Sequence, residues 1–183
     1  RACNIRNICL SIQEMTSQVD CFIVAKSDYW SHQELLGILA PSNLPIMIDK
    51  PMHVSLDGLY QLYKLESYKG QFFTCSSSRF SNNFQRFINQ LGKNDDIHCE
   101  TLNTWELYSV HLIDPLVHFG IISSRDEFQA KKNIKSGFSQ MIIQNDERSI
   151  YITATNQNHG TIHFQSKENI FLIDDAYESF SNL

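Results

Sequence analysis

Short apolar runs alternate with amphipathic stretches along this chain, and the period of the apolar positions changes partway. Asp20 to Ala25, "DCFIVA", is a continuous apolar run of the kind found in strands buried on both faces. Before it, Ile8 to Val19 reads as a strand tail followed by a short helix. After it, Ser31 and Glu34 have capping-box spacing and open a helix that buries Leu35, Leu36, Ile38 and Leu39. "PIMI" (Pro45 to Ile48) is the next strand, and Asp49, Lys50 and Pro51 end it, because proline removes a ladder donor. Ser55 caps a further helix with Leu56, Leu59, Tyr60 and Tyr63 on one face and Gly70 beyond it. This strand–helix alternation with short joins predicts a parallel sheet with crossover helices.

Farther along, "QFFTCSSS" (Gln71 to Ser78) reads as another strand. Phe84, Phe87, Ile88 and Leu91 fall at i, i+3, i+4 and i+7, a helix face ended by Gly92. In "WELYSVHLIDPLVHFG" (Trp105 to Gly120), a polar–aromatic strand is expected to run into a helix beginning near His111. Pro115 demands this, since only first-turn N–H groups lack an intrahelical partner to lose. His111 then sits at a helix N-terminus, where the dipole favours a neutral, basic ring; a capped structural histidine is the alternative. Beyond Gly120 the period falls to two. Ile150, Ile152 and Ala154 alternate with polar neighbours, as do Ile162 and Phe164, with "NQNHG" (Asn156 to Gly160) as a turn between them. That pattern predicts antiparallel strands with one face wet. The chain is therefore expected to be α/β at first and α+β afterwards, with its boundary near Met52 to Gly70.

Composition narrows the function classes. With 183 residues the chain holds one domain or parts of two. A net charge of −5, with Lys131–Lys132 the only adjacent basic pair, argues against a nucleic-acid partner. Apolar runs of a few residues cannot span a bilayer, and no basic-then-apolar leader opens the chain. Cys3, Cys9, Cys21, Cys75 and Cys99 form an odd set without a CxxC, which reads as reduced thiols in a cytoplasmic protein. His159 and His163 flank Gly160 in a turn, and His111 and His118 lack a third ligand at a recognisable spacing, so no metal site is expected. No GxSxG appears and no Cys–His pair has a supporting context, which disfavours hydrolase or thiol chemistry. A GxGxxG dinucleotide turn is also missing from the sequence. What remains is the charged pair Asp49–Lys50 at the carboxyl end of a strand, where open α/β sheets place ligands. Chemistry and a solvated turn both stay open on those residues alone.

Three blocks in order carry a family resemblance. "DCFIVAKSDYWSHQELL" resembles the strand, turn and histidine-bearing helix of the Gfo/Idh/MocA oxidoreductases, the glucose–fructose oxidoreductase and inositol dehydrogenase family. "LPIMIDKPMHVSLDGLYQL" resembles that family's signature, usually Glu-Lys-Pro and Asp-Lys-Pro in one subset. "FFTCSSSRFSNNFQRF", then "LYSVHLIDPLVHFG", resembles the same subset's Ser-rich strand, arginine and Tyr-x-x-His-x-x-Asp segment. The likeness runs from about Ile8 to Gly120.

The resemblance implies an α/β fold: a partial Rossmann-like parallel sheet (1–52), then an α+β substrate-binding and oligomerisation domain (53–183) with a mostly antiparallel sheet. It implies NAD or NADP as cofactor and a sugar, cyclitol or related polyol as substrate. Lys50 inherits the signature lysine that reaches the reacting carbon, and His111 the acid/base on the substrate hydroxyl. Arg79, Tyr108 and Asp114 inherit substrate contacts; Ala25, Ser27, His32, Asp49 and Pro51 inherit the cofactor edge. Separately, a sheet with helices on only one face leaves its other face available, so a homodimer or larger homo-oligomer is expected; Ile150, Ile152, Ile162 and Phe164 either cover part of that face through a twofold partner or face the domain's own helices.

Two departures bear on this. Many members carry an aspartate four residues before the catalytic histidine; Leu107 stands there, with Glu106 beside it expected to point away in a strand. The glycine turn is also absent, so the expectation is either an excerpt of a longer enzyme or a truncated, non-catalytic relative acting as a binding or dimerisation module.

Overall fold

The first strand, β1 (Phe22–Val24), pairs in parallel with β2 (Ile46–Ile48), and β2 pairs in parallel with β3 (Phe72–Phe73), giving the order β1-β2-β3. Parallel neighbours need crossovers, and the chain supplies helices for them: α2 (His32–Leu39) between β1 and β2, and α3 (Leu56–Tyr63) between β2 and β3. This computed structural model describes residues 7–133, 137–157, 161–167 and 169–173.

The side-chain alternation of these strands sorts the first core. Phe22, Val24, Ile46, Ile48 and Phe72 point to one face and bury against Leu36 and Leu39 of α2 and Leu62 of α3. Burying side chains of that size contributes roughly 1.5–3 kcal/mol each. The opposite face carries the in-register row Ile23, Met47 and Phe73, of which Ile23 is 70% exposed. So "DCFIVA" is not buried on both faces.

Helix entry differs from the expected pattern in two places. A short helix, α1 (Ile12–Thr16), does follow Ile8; Ser11 caps it by accepting the Glu14 N–H, and the Glu14 carboxylate accepts the Leu10 N–H. At Ser31 no side-chain cap forms. One 3-10 turn (Tyr29–Ser31) precedes α2; Asp28 caps that turn, and the Ser31 hydroxyl donates back to Asp28 O. Ser55 does cap α3, accepting from Gly58 N. The buried stripe of α3 is nevertheless Leu62 with Leu59 alongside, while Leu56, Tyr60 and Tyr63 are exposed.

The second unit is a six-stranded sheet in the order β5-β6-β7-β4-β8-β9. Its strands are β4 (Ile97–Thr101), β5 (Glu127–Asn133), β6 (Phe138–Gln144), β7 (Ser149–Ala154), β8 (Ile162–Ser166) and β9 (Asn169–Ile173). Only β4 and β7 pair in parallel; every other pair is antiparallel. Two helices, α4 (Asn82–Gln90) and α5 (Trp105–His118), bury Phe84, Phe87, Leu112 and Leu116 against Ile97, Cys99, Ile150, Ile152, Ile162 and Phe164. Burial pushes the Cys99 thiol pKa well up. Ile150, Ile152, Ile162 and Phe164 thus face the unit's own helices rather than a twofold partner. The other side of the sheet carries His98 stacked on Tyr151 at 4.6 Å, with Glu100, Thr153 and His163 beside them. The "NQNHG" turn falls partly outside the described residues, since 158–160 lie beyond them.

The two compact units divide as Arg1–Thr74 and Cys75–Leu183. That is later than the boundary after residue 52, because α3 and β3 complete the first sheet rather than open the second. Among the described residues no helix is long and apolar enough to cross a membrane.

Candidate active site

Each unit carries a polar centre. In the first, Asp49 extends the β1–β2 ladder by one bond, its N–H donating to Val24 O at 2.9 Å. Lys50 follows, half-buried at the carboxyl end of the middle strand, and the cis-bonded Pro51 turns the chain inward to buried Met52. Ala25 and Ser27, exposed, leave the end of the adjacent strand β1. His32, the other residue implied for the cofactor edge, is fully buried, with Nε2 2.6 Å from Lys26 O and Nδ1 2.9 Å from Met52 O. The rings of Tyr29, Trp30 and His53 pack together, a cluster the sequence pattern does not signal.

In the second unit the centre is built on α5. The helix spans Trp105–His118 without interruption, so no strand precedes His111 and the residue sits mid-helix rather than at an N-terminus. Pro115 is tolerated inside because it deprives only the His111 carbonyl of its i+4 donor. The dipole argument for His111 therefore falls away; a direct hydrogen bond replaces it. His111 is 4% exposed and its Nδ1 lies 2.7 Å from Ser76 Oγ. Ser76 caps the 3-10 turn Ser77–Phe80, accepting from Ser78 N at 3.0 Å.

Asp114, one turn beyond His111, holds that same segment in place. Its Oδ2 accepts from Ser76 N at 2.9 Å and Arg79 Nε at 2.8 Å, and its Oδ1 pairs with Arg79 Nη2. This two-pronged pairing is the strong form of a charge-assisted bond. The hydrogen bond to Asp114 holds the Arg79 guanidinium pKa above its usual range. Burial raises the neighbouring Cys75 thiol, with Arg79 opposing and Asp114 adding to the rise, so Cys75 stays a protonated thiol at neutral pH. The Tyr108 ring centroid lies 5.3 Å from that of His111. Arg79, Tyr108, Asp114 and His111 thus lie together, while Ser76, which the sequence offered only as part of a serine run, holds the histidine. Leu107 and Glu106 are both exposed on α5. Among the described residues no three His, Cys, Asp or Glu side chains gather as metal ligands.

No protein-family model and no curated protein matches the chain. Solved structures do. A dehydrogenase (MviM) from Clostridium difficile superposes with a TM-score of 0.66 at 16% identity, covering 89% of this chain and 59% of that one. A Gfo/Idh/MocA family oxidoreductase from Vibrio cholerae gives a TM-score of 0.63 at 15% identity, with 88% and 58% covered. The WlbA dehydrogenase from Thermus thermophilus, solved with NAD and UDP-GlcNAcA, gives 0.64 at 10% identity, with 89% and 63% covered. The fold is that of these dehydrogenases. At such identities the likeness concerns backbone architecture, and this chain spans about three-fifths of the length of each neighbour. The parallel three-stranded sheet followed by the mostly antiparallel one is the shared part.

Proposed function

We propose that the chain is, or is part of, an NAD- or NADP-dependent oxidoreductase that moves a hydride between nicotinamide and a carbinol of a sugar, cyclitol or related polyol. The observation that carries the reading is buried His111 held by Ser76, within a network anchored by Asp114 and Arg79, on a fold shared with dehydrogenases. A histidine locked in orientation by a neighbouring group is what proton transfer to a substrate oxygen requires.

The residues present fit the nicotinamide half of such a cofactor. Two adjacent parallel strands end on Ala25–Ser27 and Asp49–Pro51, at the side of the sheet where α/β folds take ligands. When bound, the cofactor supplies or accepts the hydride. The charge on Lys50 lowers the cost of negative charge developing on the substrate oxygen. His111 gives or takes the hydroxyl proton. Because Ser76 Oγ already accepts the Ser78 N–H, its own proton can go to His111 Nδ1, which leaves the ring proton on Nε2. In the opposite tautomer Nδ1–H donates to Ser76 Oγ and Nε2 becomes the base. A hydroxyl partner supports both directions of the reaction, where a carboxylate would only accept.

Lys50→Ala is expected to cut turnover far more than it weakens cofactor binding, since the charge matters most as the alkoxide develops. Comparing kcat with the cofactor Kd across a panel of polyols and nucleotide sugars checks this. Near-normal kcat in the variant would remove Lys50 from the mechanism.

We extend the proposal to self-association through the sheet face bearing Tyr151 and His98, which α4 and α5 leave uncovered. Sedimentation at micromolar concentration is expected to show a dimer or larger species, and Tyr151→Glu a shift toward monomer. A native protein that sediments as a monomer would refute the extension.

A further inference from the structure

Two loops leave the carboxyl ends of β1 and β2: residues 25–31 and residues 49–55. The strand ladder joins them only as far as Asp49, whose N–H reaches Val24 O. Past that bond the connection is made by a side chain. His32 is 0% exposed, and its two ring nitrogens lie 2.6 Å from Lys26 O in the first loop and 2.9 Å from Met52 O in the second. Both partners are carbonyls, which accept and never donate. A neutral ring has one N–H and can donate to one of these carbonyls; an apolar side chain of similar size would fill the space but remove that donor, so the ring's N–H chemistry is what this position uses.

The tie is reinforced farther out. Tyr29 and Trp30 of the first loop meet His53 of the second, with ring centroids 5.3 and 5.7 Å apart. His53 Nδ1 in turn accepts the Ser55 N–H at 3.0 Å. Its ring occupies space that a Cβ on Gly58 would enter, at 2.0 Å from Cε1, so the first turn of α3 leaves room for it.

We propose that His32 is a positioning residue for Lys50. It fixes the backbone two residues beyond Lys50 to the loop after β1, and so sets where the lysine stem begins. The proposal rests on the reading of Lys50 as the charged group of the site, but its test does not. Fully buried, His32 acts on the site through the backbone of these loops rather than by touching cofactor itself.

The experiment uses the full chain with its lysines reductively methylated by isotope-labelled formaldehyde. The Lys50 dimethyl-amine signal is assigned by its loss in Lys50→Arg. In His32→Leu that signal is expected to move, and amide exchange across 25–31 and 49–54 to quicken by about tenfold or more, as local opening becomes easier. Leu62→Ala, which opens a cavity in the same core, is expected to leave the Lys50 signal in place. His32→Gln, which keeps a donor amide, is expected to return it toward its native position. If His32→Leu fails to fold, the native protein still decides: a His32 ring N–H should be visible by NMR and slow to exchange. An unmoved Lys50 signal in His32→Leu, an equal shift in Leu62→Ala, or a ring proton exchanging at the solvent rate would each overturn the proposal. Normal turnover in Lys50→Ala would instead defeat the catalytic reading and leave the tie intact, because the signal reports position and not chemistry.

Discussion

Replacing His111 with alanine is expected to lower the hydride-transfer rate roughly 10²–10⁴-fold, the range for losing a general acid or base. The expectation follows from how much structure is committed to one ring. His111 lies mid-helix on α5, nearly out of solvent, with Nδ1 engaged by Ser76. Ser76 is itself fixed twice, through its Oγ by Ser78 N–H and through its own N–H by Asp114. Such a chain of fixed partners stops the ring from turning and leaves proton transfer as the property lost on truncation. Ser76→Ala should therefore cost less than His111→Ala, because the ring remains and only its orientation and tautomer preference loosen. His118→Ala, exposed four residues past Asp114 on the same helix, serves as the control and should leave the rate unchanged. Single-turnover measurement of nicotinamide absorbance at saturating cofactor separates these cases. A His111→Ala variant with a near-native rate would end the acid/base assignment.

How far the sequence foretold this site depended on how local the determining forces were. The parallel pairing of β1 with β2 was legible, since two short apolar runs separated by an amphipathic stretch have few other ways to bury. Period-two alternation likewise foretold β7 and β8 and placed Ile150, Ile152, Ile162 and Phe164 on one sheet face, though not which helices that face meets. The helix face was misread at α3 because Leu56, Tyr60 and Tyr63 satisfy helical spacing as well as Leu59 and Leu62 do; only the position of the sheet decides between the two stripes. Pro115 misled the reading of α5, because a proline inside a helix and one in a first turn look alike in sequence. The helix, well packed through Leu112 and Leu116, absorbs the loss of one hydrogen bond. Lys50 and His111 were singled out by resemblance, whereas Ser76 was not. Its partner is 35 residues away, and nothing in a run of three serines says which one meets a histidine.

Phe84→Ala is expected to destabilise the second unit by about 3–5 kcal/mol, the usual cost of emptying a large aromatic site in a rigid core. Phe84 is 0% exposed and its ring lies 4.7 Å from Phe164, 5.5 Å from Phe119 and 5.9 Å from Phe87, centroid to centroid. Those three rings come from β8, from the end of α5 and from α4 itself, so one side chain joins three elements. The end of α5 is fixed independently: Gly120, at a φ of 72°, donates to Val117 O, and Ile121 N donates to Leu116 O. Both bonds belong to a glycine-terminated helix cap. With backbone held on that side, the space left by Phe84 cannot collapse by sliding α5, and the cavity term should stay near the upper end of the range. Phe84→Leu, which keeps most of the volume, should cost markedly less. The chain has two tryptophans, Trp30 in the first unit and Trp105 in the second. In a Trp30→Phe background, urea unfolding followed by Trp105 fluorescence reports the second unit alone, so melting of the first cannot disguise the result. A loss under about 1 kcal/mol, well below that range, would mean that the aromatic cluster repacks around the gap. The placement of His111 would then rest on the Asp114–Arg79 pairing more than on the core beneath α5.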